Sequence, residues 1–541
     1  MSTICGHFVE NSKIKSADIY DMLKKMEHRG PDTHGAYLDG KLVKVNEVDD
    51  LRGVLSNESH IALGHSRLKI TGNGKITQPY SSCDNKLALI HNGEIYNYQK
   101  LKTLLYKQHE IKTSSDSEII VHLLEEIYQG NLMDAMKKVI RLLDGMYSLA
   151  VTDGESLVVV RDPIGKKPLY YIKNENTTYF ASEKKALWNG KDYPKRLNPG
   201  DILNIDNSGV RLEEGFHLQM PQIDIIDFRE AVQVYKDVLI TAVRKRVEGL
   251  TESRVGVIFS GGIDSVLISK LIQREGKSVI CYCTGTEESG DIVAARSVAE
   301  DLGLELKTTI IEEDMVEEII PEIIRSVEES GLLQVEVAIP MYLAAKLAAK
   351  DNIRVMFTGQ AADELFAGYP WYSDVLDDFG YLGLHEKLWE DLILAYTDTL
   401  EREDKLTMAH SIELRAPYLD KHLIQTAMRM SPRLKIQDKT DNLRKKVHRE
   451  AAVELGVPPY ISFRAKNPAQ SGSGIHKIVE NIARKHIRKI DPQLVDENIR
   501  RDKGSIYRYG EDMYGDETAR FYLQRIEEDI QKKYIPPFLS S

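Results

Sequence analysis

Cysteine is scarce, with four in 541 residues. That excludes a disulfide framework, and the sparse usage fits a protein of the reducing cytoplasm. Cys281 and Cys283 flank one residue in an apolar segment, with no second Cys or His pair beside them to complete a zinc site. They read as buried strand cysteines. No apolar stretch approaches the length needed to span a bilayer, and Met1 to Cys5 lack a basic region followed by an apolar run, so neither a membrane partner nor a signal peptide is expected. Positive charge is also in deficit. Lys and Arg number 72 against 83 Asp and Glu, a formal net charge of -11, which argues against a nucleic-acid partner. Two basic runs, Arg444 to Arg449 and Arg484 to Lys489, read as solvated helix faces.

What is present is enough for two large domains, with 42% hydrophobic and 29% charged residues. From the start to about residue 205, short apolar runs alternate with turn signals, the texture of stacked β-sheets with a few helices. Examples are Leu87 to Gly93, Tyr147 to Gly154 and Leu157 to Asp162. Residues 206–227, and within them Gly215 to Ile226 with Pro221, read as a linker. Beyond it, strand and helix patterns alternate, with strands over Val255 to Phe259, Val279 to Cys283, Glu305 to Ile311 and Ile353 to Phe357. A helix is expected over Met341 to Ala349. That alternation implies a parallel sheet with its ligands at the strand C-termini.

The most informative run is Ser260-Gly261-Gly262-Ile263-Asp264-Ser265, directly after an apolar strand and before a helical pattern. Two glycines let backbone approach an anion, the following helix points its N-terminal amides at it, and Asp264 can hold magnesium on a pyrophosphate. The spacing and lysine of a Walker A loop are missing. The run resembles the loop of ATP pyrophosphatases (PP-loop enzymes), which activate a carboxylate or carbonyl as its adenylate. A second constellation, Thr358-Gly359-Gln360-Ala361-Ala362-Asp363-Glu364-Leu365-Phe366, falls after another strand.

In the N-terminal half, Cys5-Gly6, His28 to Asp32, Gly64 to Leu68, Asn92 to Asn97, Ser115 to Glu118 and Arg161 to Tyr171 follow in an order that resembles a class II glutamine amidotransferase domain. With the second half, the chain resembles the glutamine-hydrolysing asparagine synthetases. The resemblance implies an αββα sandwich of the N-terminal-nucleophile hydrolase type over 1–205 and a PP-loop α/β domain with helical additions over 228–541. It makes Cys5 the nucleophile, with its own α-amine as base. Asn92 and the Gly93 amide would form the oxyanion hole, and Arg67, Glu94 and Asp116 would frame the bound glutamine. It further implies ATP contacts from Ser260, Gly261, Gly262, Asp264, Ser265 and Gly359, with Mg2+ held by Asp264 and Asp363. Lys466, in the late loop Arg464 to Asn467, would be the cation facing the pyrophosphate.

Two departures stand out. Ser2, Thr3 and Ile4 precede Cys5, so its amine is free only if the chain is cut between Ile4 and Cys5, which is the expectation; the alternative makes Cys5 a small buried residue. Gln360 stands where the family has a glutamate near the adenylate, and a neutral amide cannot act as a base, which leaves three readings: ammonia delivered through a tunnel needs no strong base, another carboxylate such as Glu364 serves, or the acceptor is not aspartate. Ala361 replaces a glycine beside it. The expected activity is glutamine-fed asparagine synthesis from aspartate, with AMP and pyrophosphate released. Amidation of a different carboxylate and an inactive nucleotide-binding regulator are the alternatives. The resemblance also carries an expectation of a homodimer.

Overall fold

A computed structural model describes residues 2–72, 77–188, 192–465, 475–489 and 517–534. In the N-terminal half, a seven-stranded and a six-stranded antiparallel sheet are stacked face to face. Strand Leu157–Arg161 shows why the sequence reads as a continuous apolar run. Leu157 and Val159 pack between the sheets with Ile4, Phe8 and Ile90, whereas Val158 and Val160 pack beneath helices Asp116–Ile127 and Leu132–Leu142. Helix Ala17–Lys25 covers the outer face of the other sheet. Both faces of both sheets are therefore buried, which gives the expected αββα layering.

The six-stranded sheet extends further along the chain than expected. Gly209–Glu214 pairs along its length with Asp201–Asp206, so part of the stretch read as linker is an edge strand. Only 215–227 crosses between the halves without a regular element. Asp227 then caps helix Phe228–Val247 by accepting the Glu230 amide at 2.8 Å.

The C-terminal half holds a five-stranded, wholly parallel sheet in the order Glu305–Ile310, Ser278–Gly285, Arg254–Ile258, Val355–Phe357, Glu413–Arg415. The order reverses between Arg254–Ile258 and Val355–Phe357. A crevice opens at such a switch point, and the Ser260 loop and Thr358-Gly359-Gln360 both emerge there. The helix expected from Met341 is longer, Leu332–Lys350, and runs through Pro340. By length and composition it would suffice to cross a membrane, which corrects the expectation that no stretch approaches that length. Its apolar positions pack under the sheet and against helix Glu313–Val327.

The halves meet over buried charge. Helix Glu401–Met408 is buried throughout although its first five residues are all ionisable. Glu401 pairs with Arg161 and Arg196 of the N-terminal half at 2.9 and 2.8 Å; Asp404 pairs with Arg29 and Lys167 at 2.6 and 2.8 Å; Lys405 pairs with Glu328 at 2.7 Å. Against the burial that would raise it, Arg161, Lys405 and Arg196 hold the Glu401 carboxyl down to about 2. Arg354 adds a two-pronged pair to Asp32, at 2.8 and 3.0 Å.

Removing one member of such a set strands a charge in the interior. Asp404→Asn keeps the shape and should cost about 3–5 kcal/mol. Equilibrium urea unfolding checks this, and an unchanged midpoint would show that the interface does not depend on the charge.

Candidate active site

The N-terminal site lies where the two sheets converge. Strand Ala88–Ile95 delivers Asn92, Gly93 and Glu94, and strand Ile61–Arg67 ends on Arg67. Gly93 has φ +151°, and a Cβ there would sit 2.0 Å from the Met146 carbonyl oxygen, so only glycine fits. Asp116 opens helix Asp116–Ile127 and accepts the Ile95 amide at 2.7 Å, which fixes it beside the same strand end. Arg67 lies within electrostatic reach of Asp116 and Asp32, and donates to the Thr71 carbonyl at 2.8 Å. Arg67, Asn92, Gly93 and Asp116 are thus brought together.

Cys5 is not brought to them. Along strand Ser2–Val9 side chains alternate, and Ile4 and Phe8 face the second sheet, which carries Asn92 and Gly93. Thr3 and Cys5 face the other way, beneath helix Ala17–Lys25; Thr3 bonds Met26 there, and Cys5 packs with Ile19 and Leu23. Burial, reinforced by Asp18, pushes the Cys5 thiol well above its ordinary range and away from the thiolate a nucleophile requires. The expected cut after Ile4 meets the same obstacle, because Ser2, Thr3 and Ile4 pair with Arg67, Ser66 and His65 as part of the central strand. Ser2 lies beside Asn92, where the resemblance placed Cys5. Its backbone nitrogen donates to Asn92 Oδ1 at 3.1 Å, and Asn92 Nδ2 is buried with no hydrogen-bond partner among the described residues.

Glu94, delivered by the same strand end, also reaches across to the second half. It is buried in contact with Arg415, on the last strand of the C-terminal sheet, and Arg415 also holds Glu413 at 2.5 Å. Burial raises the Glu94 carboxyl while Arg415 opposes the rise.

At the second site, Gly261 takes φ +66° so that the chain can turn onto helix Ile263–Arg274, where Gly262 is the cap. Asp264 and Ser265 fall in the first turn, beside amides that the helix cannot satisfy itself. Gly359 faces them closely enough that a Cβ would lie 2.8 Å from Asp264 Cβ. The two carboxylates expected to share a cation do converge: Lys445 Nζ is 2.8 Å from both oxygens of Asp264 and 2.8 Å from Asp363 Oδ1. His448 Nε2 adds a contact to Asp264 at 3.0 Å, with the Tyr235 hydroxyl on its Nδ1 at 2.6 Å. Gly368 leaves room for this cluster, since a Cβ would meet Asp363 Oδ1 at 1.9 Å and Lys445 Cε at 2.1 Å.

Lys445 and His448 were missed because their run reads as a solvated helix face. In the structure Lys445 is 1% exposed, Arg444 donates to the Gly368 carbonyl at 3.1 Å, and Arg449 is bound to backbone carbonyls. The second run does behave as a surface face, with His486 and Arg484 in ion pairs on helix Ile475–Arg488. Arg464 reaches the Gly261 carbonyl at 2.6 Å, while Lys466 lies outside the described residues.

Between the Ser260 loop and Thr358-Gly359-Gln360 lies a cavity of about 240 Å3 that Asp264, Gln360, Asp363 and Glu403 all line. Burial, and the charge of Glu364, push the Glu403 carboxyl up to about 7 against the pull of Arg402. Nothing in the sequence marks it, since it stands among five consecutive charged residues. Ala361 adopts φ +76°, a left-handed conformation that costs an L-residue about 1–2 kcal/mol. Ala361→Gly should therefore stabilise the protein by about 0.5–1 kcal/mol after the greater unfolded-state freedom of glycine is deducted. A rise in the urea midpoint checks it, and a fall would show that the neighbouring packing relieves the strain.

Residues 46–214 match the glutamine amidotransferase domain family, and 234–382 with 377–509 match the asparagine synthase family. A Methanocaldococcus jannaschii protein named "Putative asparagine synthetase (glutamine-hydrolyzing) 1" is 34% identical over 535 residues, covering 90% of this chain and 96% of that protein. Asparagine synthetase (glutamine-hydrolysing) 3 of Arabidopsis thaliana is 28% identical over 504 residues, 88% of this chain and 80% of that protein. Among solved structures, the glutamine phosphoribosylpyrophosphate amidotransferase of B. subtilis aligns at 24% identity with a TM-score of 0.34, over 57% of this chain and 65% of that one. With both family matches in the order of its two sites, the chain belongs to the glutamine-hydrolysing asparagine synthetase family.

Proposed function

We propose that the protein makes asparagine from aspartate, with glutamine as nitrogen source and ATP cleaved to AMP and pyrophosphate. The observation that carries this reading is Arg415. Its backbone carbonyl accepts the Thr358 amide at 3.0 Å beside the ATP loop, and its side chain contacts Glu94 of the glutamine site, so one residue joins the two sites.

In the N-terminal site, the nucleophile is the Ser2 hydroxyl, once Met1 is removed and the α-amine is free to take its proton. The oxygen attacks the glutamine amide carbon, Asn92 Nδ2 donates to the developing oxyanion, and the proton passes from the amine to departing ammonia. Water then cleaves the ester to glutamate. In the C-terminal site an aspartate carboxylate oxygen displaces pyrophosphate from the α-phosphorus. Ammonia adds to the acyl carbon, AMP leaves, and Glu403 receives the proton that Gln360 cannot. Two carboxylates that meet on one cationic centre suit an oxygen-seeking cation, and Asp264 and Asp363 would hold Mg2+. When bound, the ion neutralises charge on the triphosphate and its leaving group.

Pyrophosphate release in a screen of carboxylic acids tests the acceptor: release with aspartate and asparagine as product is expected, and silence with aspartate beside release with another acid would overturn it. Ser2→Ala should lower glutamine-dependent synthesis roughly 1000-fold while leaving ammonia-dependent synthesis intact, and Ser2→Cys should retain glutaminase activity. Loss of glutaminase in Cys5→Ser with wild-type activity in Ser2→Ala would return the role to Cys5.

Glu403→Gln should slow asparagine formation more than adenylation, read as pyrophosphate exchange, and leave glutaminase unchanged. Because the base must be ionised, wild-type synthesis should fall as pH drops through about 7, and the variant should lose that limb. An unaltered pH profile would exclude Glu403.

A further inference from the structure

Away from both sites, four side chains of the amidotransferase domain converge on one point. Cys83 comes from the turn between strands Tyr80–Ser81 and Ala88–Ile95, His109 from the loop before helix Asp116–Ile127, and His122 and Glu125 from one face of that helix. Their donor atoms all lie within 4.8 Å of one another. Cys83 Sγ is 3.6 Å from His109 Nδ1 and 3.7 Å from His122 Nδ1, and Glu125 Oε2 is 3.1 and 3.2 Å from the same two nitrogens. Tetrahedral zinc with ordinary Zn–S, Zn–N and Zn–O bonds spaces its ligand atoms about 3.3–3.7 Å apart. We propose that Cys83, His109, His122 and Glu125 form a structural zinc site.

The surroundings of the four residues strengthen the assignment. Each histidine turns Nδ1 to the common point; His109 Nε2 is 3.0 Å from Glu126 Oε1, within hydrogen-bond reach, and His122 Nε2 is 3.8 Å from Glu118 Oε1, an electrostatic contact without a hydrogen bond. Such outer carboxylates fix ring orientation and raise ligand basicity. They are themselves held, Glu126 by the Tyr106 and Lys107 amides at 2.6 and 2.7 Å, and Glu118 by the Lys112 and Thr113 amides at 2.8 and 2.7 Å. Hydrogen bonding alone accounts poorly for the centre. A single carboxylate oxygen faces two imidazole nitrogens, and a thiol faces the same two; a cation shared by all four satisfies every donor at once. The soft thiolate and imidazole set selects zinc-like ions over magnesium or calcium. The site closes on four protein ligands, as structural zinc sites do. Bound metal would tie the 103–115 loop and the strand turn to the helix whose first residue is Asp116, and so hold that carboxylate in the glutamine pocket.

The test uses the full-length protein, stripped with chelator and reloaded with zinc or cobalt. One zinc per chain is expected by elemental analysis after desalting, and cobalt should give the intense visible bands of a tetrahedral site with a near-ultraviolet thiolate band. Cys83 is the exposed cysteine of the four, the others being buried, so iodoacetamide should label the stripped protein once at Cys83 and the zinc-loaded protein hardly at all. Cys83→Ser, at a surface position, should fold normally, lose the thiolate band and weaken zinc binding at least 10-fold. The proposal is overturned if the native chain retains no zinc or cobalt, if Cys83 labels equally with and without metal, or if cobalt bands persist unchanged in Cys83→Ser and in His122→Gln.

Discussion

Helix Glu401–Met408 carries five consecutive ionisable residues into the interior, and the rest of the structure is arranged around satisfying them. Glu401 and Asp404 take arginines and a lysine from the sandwich, Lys405 takes a glutamate from the synthetase half, and Glu403 is left facing the cavity. Charges cannot be withdrawn from water without partners, so the two halves have one mutual position in which all of these pairs close. That position also seats Arg415 against Glu94, which sets the glutamine pocket beside the strand that leads into Thr358. An interface built from apolar surface alone would tolerate sliding; directional ion pairs do not.

Within the synthetase half, the same logic concentrates charge at the topological switch point. Asp264 rises from a helix N-terminus, Asp363 follows a strand end, and Lys445 comes from far along the chain to lie between them. Three separated segments thus build a compact charged centre where the parallel sheet opens. Gly359 and Gly368 keep side chains out of it. The raised Glu403 carboxyl belongs to this region, and its position on the interface helix ties the chemistry of amide formation to the contact between halves.

The fold was largely legible. Short apolar runs bounded by turn signals point to the stacked sheets, and alternating strand and helix patterns point to the parallel one. The ATP loop could be read because strand, glycine turn and helix are contiguous, so local physics suffices. What could not be read depends on tertiary pairing. Lys445 looks like any lysine in a basic run until two distant carboxylates close on it. Gly209–Glu214 has too little apolar content to announce an edge strand. Cys5 resembles a nucleophile by its neighbours, and only strand alternation, which puts it on the helix side of its sheet while Ser2 lies beside Asn92, separates it from that site. Cys83, His109, His122 and Glu125 span too much sequence for any compact ligand spacing to reveal them.

On the proposed reading, ammonia made in the sandwich is used across the charged interface for amide synthesis in the second half. Transfer of label from amide-15N glutamine into asparagine, with aspartate and ATP present and a large excess of unlabelled ammonium in solution, tests this most directly. The expected product is asparagine whose side-chain amide is predominantly 15N. Asparagine carrying only unlabelled amide, or no asparagine at all while glutamine is hydrolysed, would contradict it.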